Sequence, residues 1–326
     1  MLSKLSIKQK LILIMSIPLL IVILLAGKLT FDSYMNTKSL NNLEHVVFLS
    51  TKIGALVHET QKERGMTAGF LGSQGQKFKN ELPIQRQESS KRLEDIKSFL
   101  STMNILNYGQ TFSNDLNTVL ADLQKLSTIR SQVDTLSIEA GDAIGYYTKT
   151  NSKLLNLVSD ISRLSNSAEV SQDIISYMNF LLSKERAGIE RAVGTNTFAR
   201  DNFAAGMKER FLSLIAEQDA YMDAFLKIAP ADSKEFYAQT VQGNAVNEVI
   251  RMRDIALYQN KIENFDVEPS YWFEQITQKI NQLKKVEDFL AQRLVDTILQ
   301  QEENANYNLI LFGILSVIGV ALTMIL

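Results

Sequence analysis

Cysteine is absent from this chain, tryptophan occurs once, histidine twice and proline only four times in 326 residues. Without thiols there is no disulfide framework and no thiolate metal site. His45 and His58 lie too far apart in sequence to form an i, i+4 ligand pair on one helix, so no metal centre is expected, and nothing in the sequence calls for a cofactor. A glycine-rich phosphate loop, a nucleophile elbow and a recognisable pair of catalytic carboxylates are also missing, so the chain is not expected to be an enzyme. The formal net charge is -2 and 45 % of residues are hydrophobic, the averages of an ordinary soluble domain. No nucleic-acid partner is expected.

Those averages hide the two ends. Leu11 to Gly27 and Leu309 to Leu326 carry no charged residue. At a rise of about 1.5 Å per residue, each run with a few flanking residues crosses a hydrocarbon core of about 30 Å. A cleaved secretory signal would resemble the first run, but Leu24 to Thr30 lacks a small-x-small cleavage pattern and the apolar periodicity continues through Leu29 and Phe31. The expectation is therefore a cytoplasmic segment over residues 1–10, membrane helices over 11–29 and 307–326, and an outer domain over 30–306. Lys4, Lys8 and Lys10 precede the first span and Asp32 and Glu44 follow it, which places the N-terminus in the cytoplasm by the positive-inside bias. A helix returning to the cytoplasm implies an output module beyond Leu326.

Scarce proline leaves long uninterrupted segments between the ends: Pro18 lies in the first apolar run, and Pro83, Pro230 and Pro269 are the others. Apolar residues recur at three-and-four spacing, as in Leu43, Val46, Ser50, Ile53 and Val57, or in Ile276, Ile280, Leu283, Glu287, Leu290, Leu294 and Ile298. Strict alternation is absent, so the fold class is all-α. Helix breaks are expected at Gly72 to Gly75, Asn104 to Gly109, Gly141 to Gly145, Asn166 to Ala168, Gly194 to Asn196, Pro230 with Asp232, and Asp266 to Pro269. Asp232 and Ser270 read as N-caps. Eight helices then make two stacked four-helix bundles, with halves of about 30–166 and 167–306, flanked by the two membrane helices. Gln61-Lys-Glu-Arg-Gly65 and Ser183-Lys-Glu-Arg-Ala-Gly188 suggest an internal repeat.

The same periodicity puts cations where core side chains belong. Val57, Thr60, Arg64, Ala68 and Leu71 share one face, so Arg64 points inward. Leu182, Arg186, Ile189 and Val193 share another, with Arg191 beside Lys184 and Gly188 on the adjoining face. Arg253 falls with Val246, Val249 and Leu257, and Arg251 lies next to it. An isolated buried guanidinium costs several kcal/mol, so each needs a carboxylate or an anionic ligand. The guanidinium fork suits a small planar oxyanion such as nitrate, nitrite or a carboxylate. Glu59, Glu63, Glu185, Glu190 and Glu248 supply the alternative, an ordinary ion-pair network. The series Phe198, Phe203, Met207, Phe211 and Phe225 reads as core.

Three blocks carry a family resemblance: Gln61-Lys-Glu-Arg-Gly-Met-Thr-Ala-Gly-Phe-Leu-Gly72, Lys184-Glu-Arg-Ala-Gly-Ile-Glu-Arg-Ala192, and Trp272 to Glu287. Together they resemble the nitrate- and nitrite-sensing (NIT) domain family over about Val57 to Leu290. The resemblance implies two four-helix bundles and an anion held by arginines of separate helices, here Arg64, Arg191 with Arg186 one turn earlier, and either Arg251 or Arg253. Such domains occur as periplasmic parts of methyl-accepting chemotaxis proteins, histidine kinases and cyclic-di-GMP enzymes, and in a cytoplasmic nitrate-responsive antiterminator. With two apolar ends, the expectation is a homodimeric chemoreceptor of the bacterial inner membrane. Its periplasmic domain would bind nitrate or nitrite and pass a helix displacement to cytoplasmic signalling partners. The alternatives are the sensor of a kinase or cyclic-di-GMP enzyme, or a partner-binding module with structural arginines.

Overall fold

The computed structural model describes residues 6–161, 167–258 and 265–325. Among them the chain is helical and forms no strand, as the three-and-four periodicity predicts. The helices are α1 (Ile7–Gly72), α2 (Glu81–Leu100), α3 (Gln110–Gln124), α4 (Leu126–Asp134), α5 (Ala140–Ile161), α6 (Ala168–Arg200), α7 (Met207–Ile228), α8 (Ala231–Thr240), α9 (Asn244–Tyr258) and α10 (Pro269–Ile325), with a 3-10 turn at Ile105–Tyr108.

The chain divides into two compact units, Met1–Glu44 with Val295–Leu326, and His45–Leu294. In the first, α1 and α10 present apolar side chains outward, among them Leu24, Ile310 and Val317. These helices are long and apolar enough to cross a membrane. Inside this unit Thr30 Oγ1 and Ser316 Oγ lie 3.2 Å apart, satisfying two hydroxyls between apolar surfaces.

The second unit holds the core. Its helix contacts fall into two sets. Around Glu63 of α1 gather Arg130 of α4 and Tyr147 of α5, and Gln85 of α2 donates to the Glu59 carbonyl one turn away. Around α6 gather Ser183 with the Gln218 carbonyl of α7, Glu190 with Arg253 of α9, and the Arg191 carbonyl with Trp272 of α10. Trp272 is fully buried and its ring sits 5.2 Å from Phe198 and 5.9 Å from Phe211, which makes most of the aromatic series core.

Several boundaries differ from those expected. No break occurs at Gly194 to Asn196, where α6 runs on to Arg200 and ends on a left-handed Asp201. The reason for glycine is packing: a Cβ on Gly194 would stand 2.4 Å from Trp272 Cε2. Gly141 and Gly145 lie inside α5, and the break comes before them, after Asp134. Breaks without a sequence warning occur at Lys125 and at Val241 to Gly243. Pro230, not Asp232, caps α8. Pro269 opens α10, a position suited to its fixed φ, so Ser270 is already helical. The break expected at Asn166 to Ala168 falls partly outside the described residues, although Ser167 does cap α6.

Because Trp272 is walled in by Phe198 and Phe211, it has little room to move away from a new methyl. Gly194→Ala is expected to cost about 1–3 kcal/mol through overpacking, read as a lower midpoint in chemical denaturation of the full chain. An unchanged midpoint would show that the indole shifts freely.

Candidate functional site

The core of the second unit contains an unusual number of charges: Glu63, Arg64, Lys184, Glu185, Glu190, Arg191 and Glu287 are all buried. Each must find compensation, because removing an ion from water costs several kcal/mol. Most find it in a private partner. Glu63 accepts a two-pronged bond from Arg130, at 2.7 and 2.8 Å, and a third from the Tyr147 hydroxyl at 2.7 Å. Glu190 is held in the same way by Arg253, at 2.6 and 2.7 Å, and by Gln218 Nε2 at 2.7 Å. Burial alone would raise the Glu190 carboxyl, but Arg253 holds it below the usual carboxylate range. Lys184 pairs with Glu287.

Three ions remain: Arg64, Arg191 and Glu185. Both guanidinium groups are 0 % exposed. Arg64 Nη1 donates to Glu185 Oε1 at 2.6 Å and to Thr148 Oγ1 at 3.0 Å. Arg191 has no carboxylate within hydrogen-bond distance among the described residues. Its Nη1 donates to Thr277 Oγ1 at 3.1 Å and its Nη2 to the Gln61 carbonyl at 2.8 Å, while the Phe273 ring lies 5.2 Å from its central carbon. The second oxygen of Glu185 is taken up by Gln61 Nε2 at 2.5 Å. Two cations thus share one anion, and three buried donors, Arg64 Nε and Nη2 and Arg191 Nε, have no partner among the described residues.

The electrostatic cost is visible. Burial, with Arg64 as the second cause, lowers the Arg191 guanidinium to about 9, and Glu185 only partly offsets this. His58, buried and facing Lys184, Lys284, Lys62 and Arg191, is held neutral far below the usual imidazole range. The interior is electropositive here. Two glycines allow the close packing: a Cβ on Gly65 would come within 3.3 Å of Arg191 Nε, and one on Gly188 within 2.9 Å of Arg64 Nη2. An arrangement of planar N–H forks with unfilled donors and surplus positive charge can hold a small oxyanion.

The structure brings Arg64 and Arg191 together but gives the other candidates carboxylates of their own. Arg186 pairs with Glu217 and stacks on Tyr221. Arg251 lies on the surface, its side chain 52 % exposed, and is bonded to Glu248. Arg253 does turn inward, 12 % exposed, yet both prongs are spent on Glu190. The charges that act on Arg191 are Arg64 and Glu185.

The internal repeat is also re-registered. Glu63-Arg64 corresponds to Glu190-Arg191, not to Glu185-Arg186. In each pair the glutamate clamps an arginine of a neighbouring helix, Arg130 or Arg253, and the arginine reaches a threonine, Thr148 or Thr277. Periodicity could not have singled out Thr148, Thr277 or Phe273, because each approaches from a helix remote in sequence. Gln61 and Glu185 stood inside the motifs, with no mark of their role.

The fold is that of an all-helical domain whose core holds two guanidiniums beside a single carboxylate. The chain matches the family described as nitrate and nitrite sensing over residues 55–295, and it belongs to that family. It is 25 % identical over 274 residues to the nitrate regulatory protein of Klebsiella oxytoca, covering 82 % of this chain and 68 % of that one. It shares its fold with the structure of the NasR transcription antiterminator, with a TM-score of 0.76 and 23 % identity over 87 % of this chain and 81 % of that one. These relatives correct the expectation of a transmembrane chemoreceptor, and its kinase, cyclase and partner-module alternatives, because they are a nitrate regulator and an antiterminator. The expected receptor partners, and the exclusion of nucleic acid, are corrected on the same finding.

The two arginines should answer truncation in opposite ways. Burial, with Arg64 beside it, makes the folded chain hold the Arg191 proton less tightly than the unfolded chain does, so at neutral pH the cost of burying this charge weighs on the fold and stability rises only as the pH climbs through the lowered value. Arg191→Met is therefore expected to leave stability at pH 7 within about 1 kcal/mol or to raise it. Arg64→Met strands Glu185 in the core and should cost about 3–5 kcal/mol. Equal losses in urea denaturation would contradict this division.

Proposed function

We propose that this chain is a nitrate- or nitrite-responsive regulator whose ligand is bound by Arg64 and Arg191. The observation that carries the reading is Arg191, a fully buried guanidinium beside a second cation and with no carboxylate of its own among the described residues. A planar oxyanion between the two forks supplies the missing charge and accepts from donors that the protein leaves unused. Glu185 serves as the resident counter-ion of Arg64 and keeps the pocket from carrying two uncompensated charges. Arg186, Arg251 and Arg253 hold helices together through their own glutamates.

The apolar stretches at 11–29 and 307–326 supply the second half of the reading. Their exposed apolar surfaces suit a lipid environment better than water. The basic residues before the first stretch put the N-terminus inside, and the region over 30–306, with its halves at about 30–166 and 167–306, outside the inner membrane.

The test is the unfolding midpoint of the full chain in detergent with sodium nitrate, nitrite, sulfate or acetate. Nitrate or nitrite at a hundred times its dissociation constant should add about 2.7 kcal/mol of stability. The gain should vanish in Arg191→Met. A uniform response to all four salts would remove the proposal.

Recovery of the chain in the soluble fraction after cell lysis would remove the membrane half alone.

A further inference from the structure

How a charged ligand reaches two guanidiniums with no exposed surface is a separate question, and the residues at the start of α10 bear on it. A cleft of about 290 Å³ opens beside the pair, with Gly69, Lys77, Phe78, Asn196, Arg200 and Phe273 in its wall. It contains no acidic lining residue, and neither Lys77 nor Arg200 has a carboxylate partner among the described residues. The cleft therefore concentrates anions at its mouth. Its inner wall is the ring of Phe273, the same ring that lies 5.2 Å from the central carbon of Arg191. On the cleft side this ring meets Phe78 at a centroid distance of 5.1 Å. Phe78 is held there by a left-handed backbone, φ 58°, and by close contact with Gly69, whose Cβ would stand 2.4 Å from the Phe78 ring.

Three consecutive contacts of α10 converge on Arg191: Trp272 Nε1 donates to its carbonyl at 3.2 Å, Phe273 covers its guanidinium, and Thr277, one turn on, accepts from Nη1. Trp272 and Thr277 make directional bonds that fix the arginine. Phe273 makes none. The ring packs between Phe78 on the cleft side and the Arg191 guanidinium, held by contact and not by a directional bond, so a rotation of one side chain changes what stands between the cleft and Arg191.

We propose that Phe273 is the gating and positioning residue of the anion site: the ligand enters through the Lys77–Arg200 cleft, and the Phe273 ring must swing aside before it meets Arg191. The closed ring also keeps water from the guanidinium pair, and its cation–π contact substitutes for a counter-ion while the site is closed. This rests on the reading of Arg64 and Arg191 as the anion site, and fixes the route and the rate of exchange for that ligand.

Trp272 is the sole tryptophan of the chain and is bonded to Arg191, so its emission reports on the site directly. The experiment is stopped-flow fluorescence of the full chain in detergent, mixed with sodium nitrite or nitrate. Phe273→Ala is expected to raise the association and dissociation rates together by about tenfold or more, with the dissociation constant changing far less. Phe273→Leu, which keeps more of the packing, should give a smaller increase of both rates. The double variant Lys77→Gln, Arg200→Gln should slow association, leave dissociation as it is and flatten the salt dependence of the on-rate. Wild-type rates in both Phe273 variants, or a change in dissociation alone, would overturn the gate while leaving the anion site standing. Binding of neither anion by the wild-type chain would overturn the anion site, and the gate with it.

Discussion

Two guanidinium groups share a single carboxylate at the centre of the helical domain, and the remaining charged residues of the core are arranged so that this shortage persists. Glu185 could serve one arginine fully. Instead its oxygens are divided between Arg64 and the Gln61 amide, which leaves Arg191 to neutral partners: a threonine hydroxyl, a main-chain carbonyl and an aromatic face. Neutral acceptors orient a guanidinium without neutralising it. Burial and the neighbouring Arg64 lower the proton affinity of Arg191, and Glu185 offsets this only in part. In a low-dielectric interior, such a site has most to gain from an anion that can enter it.

The shortage is local because Glu63 and Glu190 are fully committed elsewhere. Each binds an arginine from a neighbouring helix through two prongs and receives a third bond from Tyr147 or Gln218. Were either glutamate free to rotate toward the pair, it would fill the role assigned to the ligand. The repeated Glu-Arg unit thus performs two tasks at adjacent positions. The glutamate closes its own group of helices, and the arginine faces the joint between the groups. Gly65 and Gly188 complete the arrangement, since a methyl at either would press on the facing arginine.

Individual residues show where reading the sequence succeeded and where it stopped. Periodicity placed Arg64 on a seam with Val57 and Ala68, and the structure buries all three. It also turned Arg253 inward, but it kept Arg251 beside it as a candidate, and the structure puts Arg251 at the surface. It could not tell that Arg253 is spent on Glu190, because a helical period states which face a residue shares and not what the opposing helix offers. Gly194 illustrates the converse: a glycine in mid-helix reads as a break, yet its neighbour in space, Trp272, explains it as a place where no side chain fits. The register of the repeat failed for a similar reason. Lys-Glu-Arg is the longer match in letters, whereas Glu63-Arg64 and Glu190-Arg191 are the match in contacts.

The sequence by itself determined the helical class, the two uncharged ends and the burial of Arg64, since each follows from local spacing and composition along one chain segment. Only the tertiary structure decided which carboxylate answers which arginine, that Arg191 is fully buried and answered by none among the described residues, and that Phe273 covers it. Those are facts about side chains brought together across α1, α5, α6 and α10, where energies depend on distance in space and no local pattern encodes the partner.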